Sequence, residues 1–86
     1  MLFKFREVWS QFDPEATTFI QIHQLRDFLF ALGEPLGFGP EFRGNKFLQD
    51  KAIAQLELPT YNKFTSYQFL DVLDALSLKI MVMEHS

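Results

Sequence analysis

From Phe5 to Leu32 the chain reads FREVWSQF, DPEATTFIQIHQ, LRDFLFAL, and the spacing of the apolar residues in this stretch decides the fold. Phe5, Val8, Trp9 and Phe12 recur at intervals of three and four, as do Leu25, Phe28, Leu29 and Leu32. That interval places each quartet on one face of a helix. The twelve residues between them, Asp13 to Gln24, are mostly polar. The arrangement repeats forty-four residues later. Gln49, Ala52, Ile53 and Leu56 precede a loop from Glu57 to Gln68, and Phe69, Val72, Leu73 and Leu76 follow it. Gln49 is the single polar residue among the sixteen quartet positions. Ile20 and Phe64 occupy matching mid-loop positions, so the two loops are expected to meet through them.

Helix, twelve-residue loop and helix, twice over, is the plan of an EF-hand pair. The expected fold is therefore all-α: four main helices, with the two loops joined by a small two-strand pairing. The first hand covers 2–33, a linker 33–40 and the second hand 41–83. Proline disfavours helical geometry in the residue before it, so Asp13-Pro14 closes the first helix, predicted over 2–12. The second helix is predicted over 22–32, with Gly33 as its cap and Pro35 beyond. The linker holds three of the four glycines and two of the four prolines, and Leu36 and Phe38 are expected to pin it to the domain. A third helix is expected from Glu41 to Leu56, weakened by Gly44, and a fourth from near Ser66.

Composition narrows the function. Hydrophobic residues make up 48% of the 86, and eleven are Phe, enough for a core at this size. The absence of cysteine excludes disulfides and thiolate metal sites. A net charge of −3 with no basic run excludes the electrostatic footprint of a nucleic-acid binder. No apolar run reaches the roughly 18 residues a bilayer span requires, so direct membrane insertion by these residues is not expected. His23 and His85 have no third ligand at metal-binding spacing. No nucleophile or phosphate-cradling glycine loop accompanies the carboxylates, so no enzymatic activity is expected.

A calcium loop of this design draws oxygens from positions 1, 3, 5, 7, 9 and 12, with a bidentate glutamate at 12 and glycine at 6. In the first loop those ligand positions hold Asp13, Glu15, Thr17, the carbonyl of Phe19, Gln21 and Gln24, and Thr18 replaces the glycine. Gln24 offers one neutral oxygen where two anionic ones are needed, and the β-branched Thr18 resists positive φ. The second loop, read from Glu57, brings Pro59, Tyr61 and Lys63 to positions 3, 5 and 7, and Gln68 to position 12. No bound cofactor is expected; the alternative is weakly held calcium at Asp13, Glu15, Thr17, Phe19 and Gln24. In the last helix, Leu73, Leu76, Ile80 and Met83 continue one apolar stripe. With Phe38 of the linker, they form the expected partner-binding surface.

Three separated segments carry a family resemblance. Phe5 to Thr17, with its Trp9, Phe12 and Asp13-Pro14-Glu15-Ala16-Thr17, resembles the start of the cytoplasmic C-terminal EF-hand domain of voltage-gated calcium and sodium channels. Pro35-Leu36-Gly37-Phe38-Gly39 is similar to a linker segment of calcium-channel pore subunits, and Leu56-Glu57-Leu58-Pro59 to the family's entry into its second loop. The resemblance favours the calcium-channel branch. The tail Lys79 to Ser86 departs from the vertebrate pattern and points to a fungal or otherwise divergent source. The resemblance implies a gating or inactivation module on the cytoplasmic side of the plasma membrane, in contact with other cytoplasmic segments of the parent channel. Calmodulin would be a partner only through a segment beyond Ser86.

Overall fold

The computed structural model describes the backbone of residues 2–85 and side chains as far as residue 81. Helix α1 (Leu2–Phe12) leads into a three-residue strand, β1 (Phe19–Gln21), and a 3-10 turn at Ile22–Gln24 opens helix α2 (Leu25–Leu32). After the linker come a short 3-10 turn at Pro40–Phe42, helix α3 (Lys46–Gln55), strand β2 (Ser66–Gln68) and helix α4 (Phe69–His85). The strands pair antiparallel and join the two helix–loop–helix halves, as a paired EF-hand requires. Among the described residues no helix is long and apolar enough to cross a membrane.

The predicted quartets of the first hand supply most of the core. Phe5, Val8, Trp9, Leu25, Phe28, Leu29 and Leu32 are buried, joined by Ile20, Leu36, Phe38, Val72 and Leu76. Phe28 receives the rings of Phe5, Trp9 and Phe12 edge-on, with centroids 5.2, 5.3 and 5.8 Å away. Phe69, at the start of α4, meets Phe5 and Trp9 in the same manner at 5.2 Å, which ties the second hand to the first. Edge-to-face contacts of this kind add about 0.5–1.5 kcal/mol each beyond simple burial. The second hand is thinner: Ala52, Ile53, Leu56, Phe69 and Leu73 are only partly buried against this cluster.

Three helix starts differ from expectation. The second α-helix begins at Leu25 rather than Ile22, because residues 22–24 form the 3-10 turn. The third helix begins at Lys46 rather than Glu41, because Gly44 takes a positive φ of 69° and interrupts the chain. The Asn45 side chain then accepts from the Leu48 N–H at 3.0 Å and caps the new start. The fourth helix begins at Phe69, since Ser66 to Gln68 are taken up by strand pairing.

The linker folds back onto α2 as a buried layer. Both the Gly33 and the Phe38 N–H groups donate to the Leu29 carbonyl, at 3.1 and 2.9 Å. Phe38 stacks on Phe42 at 4.2 Å and meets Phe30 edge-on at 5.1 Å, so Leu36 and Phe38 do fasten the linker. The approach is so close that a Cβ on Gly37 would lie 2.3 Å from the Leu29 carbonyl oxygen, which accounts for glycine there. Phe38 is thereby removed from the surface, a correction to its expected place on a partner-binding face.

Candidate functional site

The positions where a paired EF-hand would hold an ion sit in its two loops. Asp13 follows directly on α1 and is 7% exposed. Its Oδ1 accepts from the Thr17 N–H at 2.9 Å and the Thr17 hydroxyl at 2.7 Å. Its Oδ2 accepts from the Thr18 N–H at 2.8 Å and from Trp9 Nε1 at 3.2 Å. Burial alone would raise the pKa of this carboxyl, but the bonds from Thr17, Thr18 and Trp9 outweigh it and hold the value below the ordinary 3.8. Thr18 takes φ 72° despite its branched side chain, because that twist aims its N–H at Asp13. The turn that glycine normally makes is thus kept by a hydrogen bond.

The other expected ligands do not converge. Glu15 lies exposed, and the Thr17 hydroxyl is shared between Asp13 and the Phe19 carbonyl, at 3.2 Å from the latter. Gln24 turns the opposite way: its Oε1 accepts from the Gln21 N–H at 2.8 Å, while the Gln21 side chain accepts from the Gln24 backbone. This reciprocal pair caps the helix start. Among the described residues no three acidic, histidine or cysteine side chains gather where they could hold a metal. A calcium ion needs several convergent oxygens, and here both oxygens of the best candidate face N–H and O–H donors.

Strand register corrects the reading of the second loop. Ile20 pairs with Tyr67, not Phe64, and Phe19 and Gln21 pair with Gln68 and Ser66. Reciprocal bonds flank them: the Ile22 N–H donates to the Thr65 carbonyl at 2.9 Å, and the Phe69 N–H to the Thr18 carbonyl at 2.8 Å. The two-fold relation of the loops therefore has an offset of forty-seven residues, that between Ile20 and Tyr67. Before the loop the inward-facing residues keep the offset of forty-four, with Phe5, Val8, Trp9 and Phe12 matched by Gln49, Ala52, Ile53 and Leu56, so the second loop carries three additional residues. They are accommodated by left-handed backbone at Asn62, Lys63 and Phe64, with φ of 54°, 59° and 68°. Phe64 is consequently thrown outward and 81% exposed.

In this register the partner of Gln24 is Asp71 and the partner of Asp13 is Thr60. Asp71 accepts from the Tyr61 hydroxyl at 2.7 Å. That bond, with smaller contributions from burial and the carboxylate charge, pushes the Tyr61 pKa up. Gln68, expected at the ligand position, instead accepts from the Leu70 N–H at 2.9 Å and caps α4.

The family model described as voltage-dependent L-type calcium channel, IQ-associated, matches residues 4–59, which span α1, the first loop, α2, the linker and α3. The chain belongs to this family. Sodium channel protein type 11 subunit alpha of Mus musculus is 62% identical over 32 residues, which is 37% of this chain and 2% of that protein. Sodium channel protein type 5 subunit alpha of Homo sapiens is 59% identical over 32 residues, again 37% of this chain and 2% of that protein. Sodium channel protein 60E of Drosophila melanogaster is 37% identical over 68 residues, covering 79% of this chain and 2% of the fly protein. The chain thus spans about 2% of the length of these relatives. It is an EF-hand-like cytoplasmic region of a voltage-gated calcium or sodium channel alpha subunit, and not an enzyme. The family description is of a calcium channel and the relatives are sodium channels, so membership holds for the channel family as a whole.

The α4 residues expected to meet a partner differ in exposure. Leu76 is buried beside Val72, as its place in the apolar quartet predicts, while Leu73 and Ile80 are half-buried against the core. Met83 lies on the α4 backbone, but its side chain is outside the described residues. Among the described side chains of α4, the large apolar residues that face solvent are Leu70, Leu78 and Met81, with Leu78 60% exposed. At intervals of eight and three they form a second stripe.

A polar cluster between the hands escaped the sequence reading. Arg26 of α2 donates from Nη1 to Gln49 Oε1 at 2.7 Å and from Nη2 to Asp50 at 2.6 Å. Gln49 Nε2 donates in turn to the Phe42 carbonyl at 2.6 Å. Its trace in the sequence was Gln49 itself, the one polar residue in an otherwise apolar set.

Proposed function

We propose that this domain regulates the gating of a voltage-gated cation channel through contacts with other cytoplasmic segments of the parent subunit, and that neither loop works by binding calcium. The family match over residues 4–59 is the observation that carries the channel role. The closed hydrogen-bond set of Asp13 supports independence from the ion, because the carboxylate that would begin coordination already holds the loop in shape. A calcium sensor opens when its ion draws position 12 inward; here Gln24 caps a helix and Asp71 bonds Tyr61 instead. Contacts are assigned to the α4 surface, where Leu70, Leu78 and Met81 join the half-buried Leu73 and Ile80. The description of the family as IQ-associated supports a calmodulin-binding segment beyond Ser86 as a neighbour. The Pro35-Leu36-Gly37-Phe38-Gly39 linker favours the calcium branch, whereas gating regulation is common to either branch.

The test is electrical. Replacing Leu70, Leu78 and Met81 with serine in the full-length channel is expected to shift the voltage dependence of inactivation by about 10 mV at unchanged peak current. That is the shift produced by about 1 kcal/mol of coupling when roughly four charges move. An unshifted inactivation curve with normal surface expression would refute the proposed role.

A further inference from the structure

We infer that α3 is a hinged lid on the second hand, held closed by the Arg26 latch rather than by apolar packing. Three independent features place it there. The first is thin packing: the one buried side chain of α3 is the polar Gln49, its apolar Ala52 and Ile53 are only partly covered, and Phe47 points into solvent. A groove runs along either side, one against α4 at Ala75 and Leu78, the other against the α2 entrance at Ile22 and His23.

The second feature is the latch. Arg26 reaches across from α2 to both Gln49 and Asp50, and Gln49 passes the connection to the Phe42 carbonyl just before α3. These are charge-assisted or close polar contacts with short reach, so they are lost together when the helix tilts. Third, both ends of α3 rest on left-handed backbone. Gly44 has φ 69°, with no atom within 4 Å of where a Cβ would be, and Glu57 has φ 50° at the start of the lengthened loop. A few residues at element ends are what absorb the rotation of a hinge. Opening would uncover the apolar side of Ala52, Ile53 and Leu56 and the core they pack on, while leaving α1 and α2 in place. The inference concerns the chain's own mechanics and does not depend on the channel role.

Residue-resolved amide exchange tests it. In the native chain the amides of residues 50–55 are expected to exchange at least about tenfold faster than those of residues 29–32, through local rather than global opening. Arg26→Met is expected to accelerate α3 by about a further tenfold and leave α1 and α2 within about twofold. Asp50→Asn removes an exposed partner only and is expected to accelerate α3 alone, by about threefold. It serves in place of Arg26→Met if that variant fails to fold. A common exchange rate for α2 and α3 in the native chain would overturn the lid, as would a uniform acceleration of all helices in the latch variants.

Discussion

Asp13→Ala is expected to lower the midpoint of thermal unfolding by about 15 °C, measured by circular dichroism at neutral pH. The carboxylate accepts four hydrogen bonds from Trp9, Thr17 and Thr18, and removing it strands donors in a partly buried turn. Bonds to a charged acceptor contribute about 1.5–3 kcal/mol, and an orphaned donor adds its own desolvation cost, so a loss of about 3 kcal/mol is expected. In a domain of this size each kcal/mol moves the midpoint by roughly 4–8 °C. Asp13→Asn keeps the shape but turns an amide NH₂ toward two N–H groups, and about half of the loss should follow. The pH dependence has a definite sign. The folded-state pKa is held below 3.8, so the stabilisation is fully present above that value and is lost as the pH falls through the lower folded one. Flattening of the acid limb of stability in Asp13→Asn would be the matching observation.

The second large effect is expected at Phe28→Ala, with a loss of about 3–5 kcal/mol in urea unfolding, the usual cost of emptying a ring-sized site. Phe28 is fully buried and is met edge-on by Phe5, Trp9 and Phe12. All three neighbours lie on α1, so the cavity opens along the whole α1–α2 contact. A domain of this length has about 4–13 kcal/mol of total stability, so the variant is expected to be marginally folded. Phe64→Ala makes the contrast: its side chain stands in solvent, and its loss should change stability by less than about 0.5 kcal/mol.

The difference between those two phenylalanines also marks what the sequence discloses and what it conceals. Period-three-and-four spacing identified Phe28 as core, because burial of a helix face imposes that spacing on the chain. The same reasoning placed Phe64 opposite Ile20, and strand register instead put Tyr67 there. Three additional residues in a loop leave no periodic trace when polar and apolar residues on both sides still fit the old count. Helix boundaries followed local chemistry: Asp13-Pro14 ended α1 where expected, whereas the cap at Asn45 was hidden behind the helix-compatible run from Glu41. Gln24 is what argued in the sequence against calcium in the first loop, but the part Asp13 plays in holding the turn was not legible there. Its partners are two backbone N–H groups, a hydroxyl and an indole, and only coordinates show that they converge on it. Phe38 and Leu76 show the same limit in reverse. An apolar residue on a linker or a stripe can anchor a partner or fill the core, and the choice depends on how the chain folds back.

The claim that a hydrogen-bonded loop has taken over from an ion is tested most directly by thermal unfolding of the chain in 1 mM calcium and in chelator. Binding with a dissociation constant of about 10 µM would stabilise the folded state by about 2.7 kcal/mol and raise the midpoint by roughly 10–20 °C. The account predicts midpoints that agree within about 1 °C. A calcium-dependent rise of about 10 °C or more, abolished by Asp13→Asn, would contradict it.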